Sequence, residues 1–152
     1  MPQGIEIQIL DPGYEENFLK NKKKRSDWFT SHGDVFPVGV GRIKAMNPEL
    51  TYIEQGETWK VGKATSARSF PTKRLTLPLG HWNHYYFRAI NGEVRLWVNG
   101  QEVSGGYDCN PSEGHLVMES EGSPIAGYYY RIVPLSHCSA AHCCNMRTSY
   151  DW

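Results

Sequence analysis

Tyr85-Tyr86-Phe87-Arg88-Ala89-Ile90-Asn91-Gly92-Glu93-Val94-Arg95-Leu96-Trp97-Val98-Asn99-Gly100-Gln101-Glu102-Val103 is the stretch that decides the fold. Three runs rich in β-branched and aromatic residues are separated by two Asn-Gly pairs. Asn-Gly supplies the two consecutive positive φ angles of a type I′ turn, the tightest way to join antiparallel strands. The spacing predicts a three-strand antiparallel meander with strands at 85–90, 93–98 and 101–103. Further strands are expected at His115–Glu121 and Tyr128–Val133, on either side of Gly122-Ser123-Pro124. Near the start, Ile5-Glu6-Ile7-Gln8-Ile9 alternates strictly, so Ile5, Ile7 and Ile9 share one face and Glu6 and Gln8 the other. Asp11-Pro12-Gly13 closes that strand with turn chemistry. Residues 14–81 show little periodicity and no helix of convincing length, which reads as long functional loop material. Strands at this spacing without intervening helices indicate an all-β sandwich or jelly roll.

Composition narrows the function. The chain has 152 residues, a length suited to one core, and its 16 basic residues balance 16 acidic ones. A dedicated nucleic-acid binder normally carries a basic excess, so the balance argues against one. No apolar run reaches the roughly 18 residues that a membrane span requires, and Met1-Pro2-Gln3-Gly4 does not resemble a signal peptide. The balance hides an asymmetry: residues 1–76 hold 12 basic and 9 acidic residues, the remainder 4 and 7. Much of it is Lys20-Asn21-Lys22-Lys23-Lys24-Arg25, read as a solvated loop rather than an anion site.

Cys138, Cys143 and Cys144 crowd near the end, while Cys109 stands apart. Their spacing lacks the two separated ligand pairs of a zinc finger or ribbon. Residues 136–152 therefore read as an unstructured Cys-rich tail, with a disulfide or metal site as the lesser alternatives.

Chemistry is sought on the polar faces of strands and in loops. On a strand over His115–Glu121, Leu116 and Met118 would face the core. His115, Glu119 and Glu121 would then share the other face, the two carboxylates about 7 Å apart. That spacing suits either a two-carboxylate glycosidase or a plain wet sheet face. Glu6 and Gln8 form a similar polar pair. Thr30-Ser31-His32-Gly33-Asp34 places an imidazole and a carboxylate two residues apart, as a general base with its orienting group, a metal-ligand pair, or neither. Trp82, Trp97, Tyr85, Tyr86 and Tyr128 to Tyr130 offer flat platforms on which sugar rings stack, or simply core packing. No nucleophile elbow, phosphate loop or zinc-protease signature occurs.

Taken together the motifs resemble the 3-keto-disaccharide hydrolase family, formerly a domain of unknown function. The match lies in Gly4-Ile5-Glu6-Ile7-Gln8-Ile9-Leu10-Asp11, Ser31-His32-Gly33-Asp34-Val35-Phe36-Pro37, Arg68-Ser69-Phe70-Pro71 and Trp82-Asn83-His84-Tyr85. It continues through Asn99-Gly100-Gln101-Glu102-Val103-Ser104-Gly105-Gly106, Asp108-Cys109 and Glu119-Ser120-Glu121-Gly122-Ser123-Pro124-Ile125. The resemblance implies a concanavalin A-like jelly-roll sandwich over residues 1–135, lacking the first strands of the usual domain. It also implies a bacterial protein of the periplasm or the exterior, acting on an oligosaccharide or glycoside. Two departures are the absence of the Trp-rich and Asn-Ser-Gly segments that precede the Glu6 strand, and a closing strand that reads Tyr128-Tyr129-Tyr130-Arg131-Ile132. A sandwich short of strands would expose an edge, with self-association as the expected consequence.

The implied reaction is cleavage of a 3-keto-glycoside by C2 deprotonation and loss of the C1 substituent, with no cofactor required. His32 is the candidate base, with Asp34 orienting it. Arg68 or His84 would stabilise the enolate, Glu6, Glu119 or Glu121 would act as acid or bind hydroxyls, and Gln8 and Trp82 would complete the substrate contacts. A divalent cation on Glu6, His32 and Asp34 is a lesser alternative. A non-catalytic carbohydrate-binding module and a two-carboxylate glycosidase using Glu119 and Glu121 are the competing readings.

Overall fold

A computed structural model describes residues 3–10, 12–78, 80–119, 126–133 and 142–149, the last two segments as backbone strands. In chain order they form β1 (Gly4–Ile9), α1 (Gly13–Lys22), β2 (His32–Val38), β3 (Arg42–Ala45), β4 (Glu49–Glu54) and β5 (Glu57–Gly62). These are followed by β6 (Asn83–Ile90), β7 (Glu93–Val98), β8 (Gln101–Asn110), β9 (Ala126–Val133) and β10 (His142–Ser149).

The meander forms as expected: β6, β7 and β8 are antiparallel neighbours. Both turns take the left-handed pair, with φ of 47° and 76° at Asn91-Gly92 and 48° and 87° at Asn99-Gly100. This meander lies inside a six-stranded sheet of order β3-β8-β7-β6-β10-β9. Across its inner face lies the two-stranded sheet β1-β2. Val35 of β2 packs there with Tyr85, Val94, Leu96, Val98, Val103 and Ile43, and Ile5, Ile7 and Ile9 of β1 pack against the same cluster. Each such side chain, fully buried, contributes about 1.5–3 kcal/mol from removal of apolar surface from water. The result is an all-β antiparallel architecture in which the small sheet covers this core, while Tyr52 of β4, Val61 of β5 and Phe70 form a second, smaller cluster. No helix among the described residues is long and apolar enough to cross a membrane.

The stretch 14–81 is more regular than its sequence suggests. Helix α1 buries no residue, so it shows no apolar stripe by which it would be recognised. Glu15 and Glu16 in its first turn and Lys20 and Lys22 in its last complement the helix dipole. Lys23 ends it in the left-handed conformation, its N–H bonded to the Leu19 carbonyl. The basic run thus closes a helix rather than forming a loop between strands. Strands β4 and β5 form a hairpin whose turn, Gln55-Gly56, also takes two positive φ angles, 51° and 83°. Glutamine is not a usual residue for that conformation, which hid the turn from the sequence.

Two other expectations change. Residues 114–119 form no strand, and Leu116, Val117 and Met118 are exposed rather than core. Val117 interrupts their apolar-polar alternation, and even a patterned segment makes a strand only where a neighbour supplies ladder hydrogen bonds. Residues 142–149, placed by the sequence reading in an unstructured tail, form β10, paired with β6 on one side and β9 on the other. Cys143 and Cys144 therefore lie in a strand, while Cys138 lies outside the described residues.

Candidate functional site

Alternation along β1 sends Ile5, Ile7 and Ile9 inward, so Glu6 and Gln8 project to the opposite face of the small sheet. Phe36 of β2 stands directly across from Glu6, on the same face. A third segment extends this sheet by one bridge. Val35 and Ser69 exchange both backbone hydrogen bonds, at 2.9 and 2.8 Å. Ser69 turns inward, where its hydroxyl meets that of Ser104 at 3.0 Å. Arg68, one residue earlier, is thereby delivered to the face carrying Glu6, Gln8 and Phe36.

There Arg68 is held on three sides. Its guanidinium lies 3.6 Å from the centre of the Phe36 ring, a close cation–π stack. Its Nη1 donates to Asp34 Oδ2 at 2.7 Å and to Gln8 Oε1 at 3.2 Å. The Asp34 side chain has no exposed surface, that of Arg68 only 16%. The Asp34 carboxylate also accepts the Thr30 amide at 2.9 Å and the Thr30 hydroxyl. Burial pushes the Asp34 carboxyl above the ordinary carboxylate range, and the Thr30 and Arg68 hydrogen bonds recover part of that shift.

His32 does not join this group. Gly33 adopts φ of 94°, and the β1–β2 register slips between Ile7 and Ile9, leaving His32 opposite Ile9. The irregularity turns the imidazole to the core side, where its ring centre lies 6.2 Å from that of the fully buried Tyr85. A side chain at Gly33 would meet Pro71 at 3.0 Å, so both the conformation and the space call for glycine. His32 and Asp34 therefore lie on opposite faces, and the expected base with its orienting carboxylate is not assembled. The cation trio of Glu6, His32 and Asp34 is separated by the same bulge. Among the described residues no three His, Cys, Asp or Glu side chains converge on a metal position.

The remaining expected residues also divide. Gln8, Asp34 and Arg68 are in direct contact, with Glu6 on their face. His84 precedes the inward-facing Tyr85 on β6, so it points to the far side of the large sheet; its amide donates to Asn99 Oδ1 at 2.8 Å. Trp82 is 45% exposed just ahead of that strand. Glu119 is exposed in an irregular segment rather than on a strand face, and Glu121 lies outside the described residues.

Three residues around Arg68 are not among the site residues expected from the sequence. Thr30 clamps Asp34, Phe36 stacks under the guanidinium, and Trp28 lies 5.7 Å from it on another side. Trp28 also borders an open cleft of about 380 Å³ lined by Asp27, Lys63, Ser66, Arg68 and Phe70. They come from one nine-residue stretch, 28–36, of an aperiodic region, and only folding shows that it adjoins Arg68.

The arrangement is a fixed cation beside a carboxylate and an amide on one sheet face, open to a cleft. It suits an anionic oxygen that develops on a hydroxyl-rich ligand. Residues 1–133 match the 3-keto-alpha-glucoside-1,2-lyase-like domain, which takes in every residue of this cluster. No curated protein and no solved structure gives a significant match. With most of its length matched, and with the motif residues of the small sheet gathered on one face, the chain belongs to the family of 3-keto-alpha-glucoside-1,2-lyase-like carbohydrate-active domains.

Proposed function

We propose that the chain cleaves 3-keto-glycosides at the anomeric carbon by elimination and rehydration, with Glu6, Gln8 and Arg68 as the working residues. The carbonyl at C3 acidifies the C2 proton, because the electron pair left behind is delocalised as an enolate. A carboxylate of Glu6 takes that proton. The C1–O bond then breaks, the departing oxygen receiving the proton that Glu6 removed, which restores the carboxylate, and the sugar gaining a C1–C2 double bond. Water adds across this bond, hydroxyl to C1 and proton to C2, so the sum is hydrolysis without any change of redox state. Arg68 donates to the enolate oxygen, and Gln8 binds a hydroxyl of the same ring. Asp34 and Thr30 position Arg68 and do not touch substrate.

The observation that carries this reading is the anchoring of Arg68. A guanidinium already stacked on Phe36 and bonded to Asp34 and Gln8 needs little reorganisation when negative charge appears. The reading moves the base from His32 to Glu6, because the imidazole packs against Tyr85 in the core while Glu6 shares the face of Arg68.

The test uses methyl 3-keto-α-glucoside in deuterated water. Wild-type protein is expected to release methanol and to exchange the C2 proton, and Glu6→Gln to abolish both. Saturable binding with neither exchange nor release would overturn the reading in favour of a sugar-binding module.

A further inference from the structure

We propose that the cleft beside Arg68 is the subsite for the departing group, and that Trp28 is the platform selecting a second sugar ring there over a small alkyl group. The inference rests on the reading of Arg68 as the enolate-stabilising group. Its own basis is the state of Trp28, whose side chain is both held in place and open to solvent.

The indole is 58% exposed, yet its position is fixed from below. The Ser26 hydroxyl accepts the backbone N–H groups of both Trp28 and Phe29, at 3.2 and 3.0 Å, forming a tight local turn. The Trp28 ring packs at 61° against the buried Phe29, with centres 4.6 Å apart. Phe29 is in turn seated edge-on against Phe18 of α1 at 5.5 Å. The Gly62 amide donates to the Asp27 carbonyl at 2.7 Å, tying the same turn to the end of β5. An aromatic ring supported in this way loses little freedom when a ligand covers it.

The cleft is continuous with the proposed reaction centre, because Arg68 lines it and reaches from Phe36 at 3.6 Å to Trp28 at 5.7 Å. Its volume of about 380 Å³ falls in the range of small-ligand sites. Lys63, Ser66 and Asp27 line it around the indole. Apolar C–H groups on one face of a pyranose match the ring, and its hydroxyls match the ammonium, hydroxyl and carboxylate of these neighbours. A methyl or other small alkyl leaving group would use none of them.

Steady-state kinetics on a 3-keto-disaccharide and on methyl 3-keto-α-glucoside test this with wild type, Trp28→Ala, Trp28→Phe and Lys63→Ala. Trp28→Ala is expected to raise KM for the disaccharide about tenfold, the loss of one good stacking contact, with kcat kept within a factor of about two. Constants for the methyl glycoside should stay at wild-type values, Trp28→Phe should retain most of the disaccharide preference, and Lys63→Ala should weaken it. Equal effects of Trp28→Ala on both substrates, or none on either, overturn the subsite while leaving the reaction at Arg68 standing. Wild type that turns over neither substrate overturns both.

Discussion

Replacing Arg68 with methionine keeps the length of the side chain and removes the charge that faces Asp34. Asp34 is without exposed surface, so the variant must either bury an unpaired carboxylate or protonate it. Removing one partner of a buried ion pair costs about 3–5 kcal/mol. Arg68 keeps 16% of its side chain exposed, and Asp34 keeps two hydrogen bonds from Thr30, which places the expected loss near the lower end, about 3 kcal/mol at pH 7. For a chain of this size that is a fall in Tm of roughly 6–12 °C. The pH dependence is diagnostic. Burial already raises the Asp34 carboxyl above 3.8, so the folded protein holds that proton more tightly than the unfolded chain does. This contribution to stability is complete below 3.8 and is lost as the pH rises through the raised value. Without Arg68 the carboxyl rises further, so the penalty of the variant should shrink steadily as the pH is lowered from 7 towards 4. Thermal and urea unfolding of wild type, Arg68→Met, Asp34→Asn and the double variant complete a thermodynamic cycle. The double variant should be more stable than the sum of the single losses allows, by at least about 1 kcal/mol. A loss below about 1 kcal/mol for Arg68→Met at pH 7, or strict additivity, would refute the pairing as a source of stability.

Three further outcomes follow from the same contacts. Burial raises the Glu15 carboxyl, but the two-pronged bond from Arg74 (2.8 and 2.9 Å) and the Ser31 amide outweigh it and hold it below its ordinary value. Glu15→Gln should therefore cost about 1.5–3 kcal/mol at neutral pH. The difference should vanish as acid protonates the wild-type carboxyl below 4.5, read by unfolding and by hydrogen exchange in α1. Asn99→Ala removes the side-chain bonds to Leu75 O (2.7 Å), Asn83 Oδ1 (2.9 Å) and the His84 amide (2.8 Å) at a residue with φ of 48°. It should lower stability by about 2–4 kcal/mol, with Asn99→Asp losing at least as much, since its second carboxylate oxygen would face the Leu75 carbonyl and Asn83 Oδ1, both acceptors. Gly62→Ala would put a Cβ 2.2 Å from the Pro48 carbonyl oxygen and 2.4 Å from the Phe70 ring, at φ of 75°. A loss of more than about 2 kcal/mol in denaturant unfolding is expected, because neither the carbonyl nor the buried ring can give way cheaply.

The sequence by itself determined what depends on neighbouring residues. Asn91-Gly92 and Asn99-Gly100 carry their own turn conformation, and Ile5, Ile7 and Ile9 carry their own face, so the meander and the first strand were legible. The family motifs were legible too, since short ordered strings of residues survive reading without coordinates. The failures have a common cause. Gln55-Gly56 turns like Asn-Gly because the β4–β5 pairing imposes the conformation, and α1 folds without an apolar stripe because Glu15 holds it through Arg74 and Ser31. Leu116 and Met118 are two apart as on one strand face, but apolar Val117 lies between them and they have no neighbouring strand among the described residues.

Only the tertiary structure decided the site. Gly33 reverses the direction of His32 while leaving Asp34 in place, so two residues that look like a pair in the sequence end on opposite faces. Conversely, Gln8, Asp34 and Arg68, separated by up to 60 residues, meet at hydrogen-bonding distance. Local periodicity says which side of a strand a residue takes if the strand is regular. One backbone irregularity or one long-range bridge overrides it, and here the bulge at Gly33 and the Val35–Ser69 bridge settled which side chains share the site.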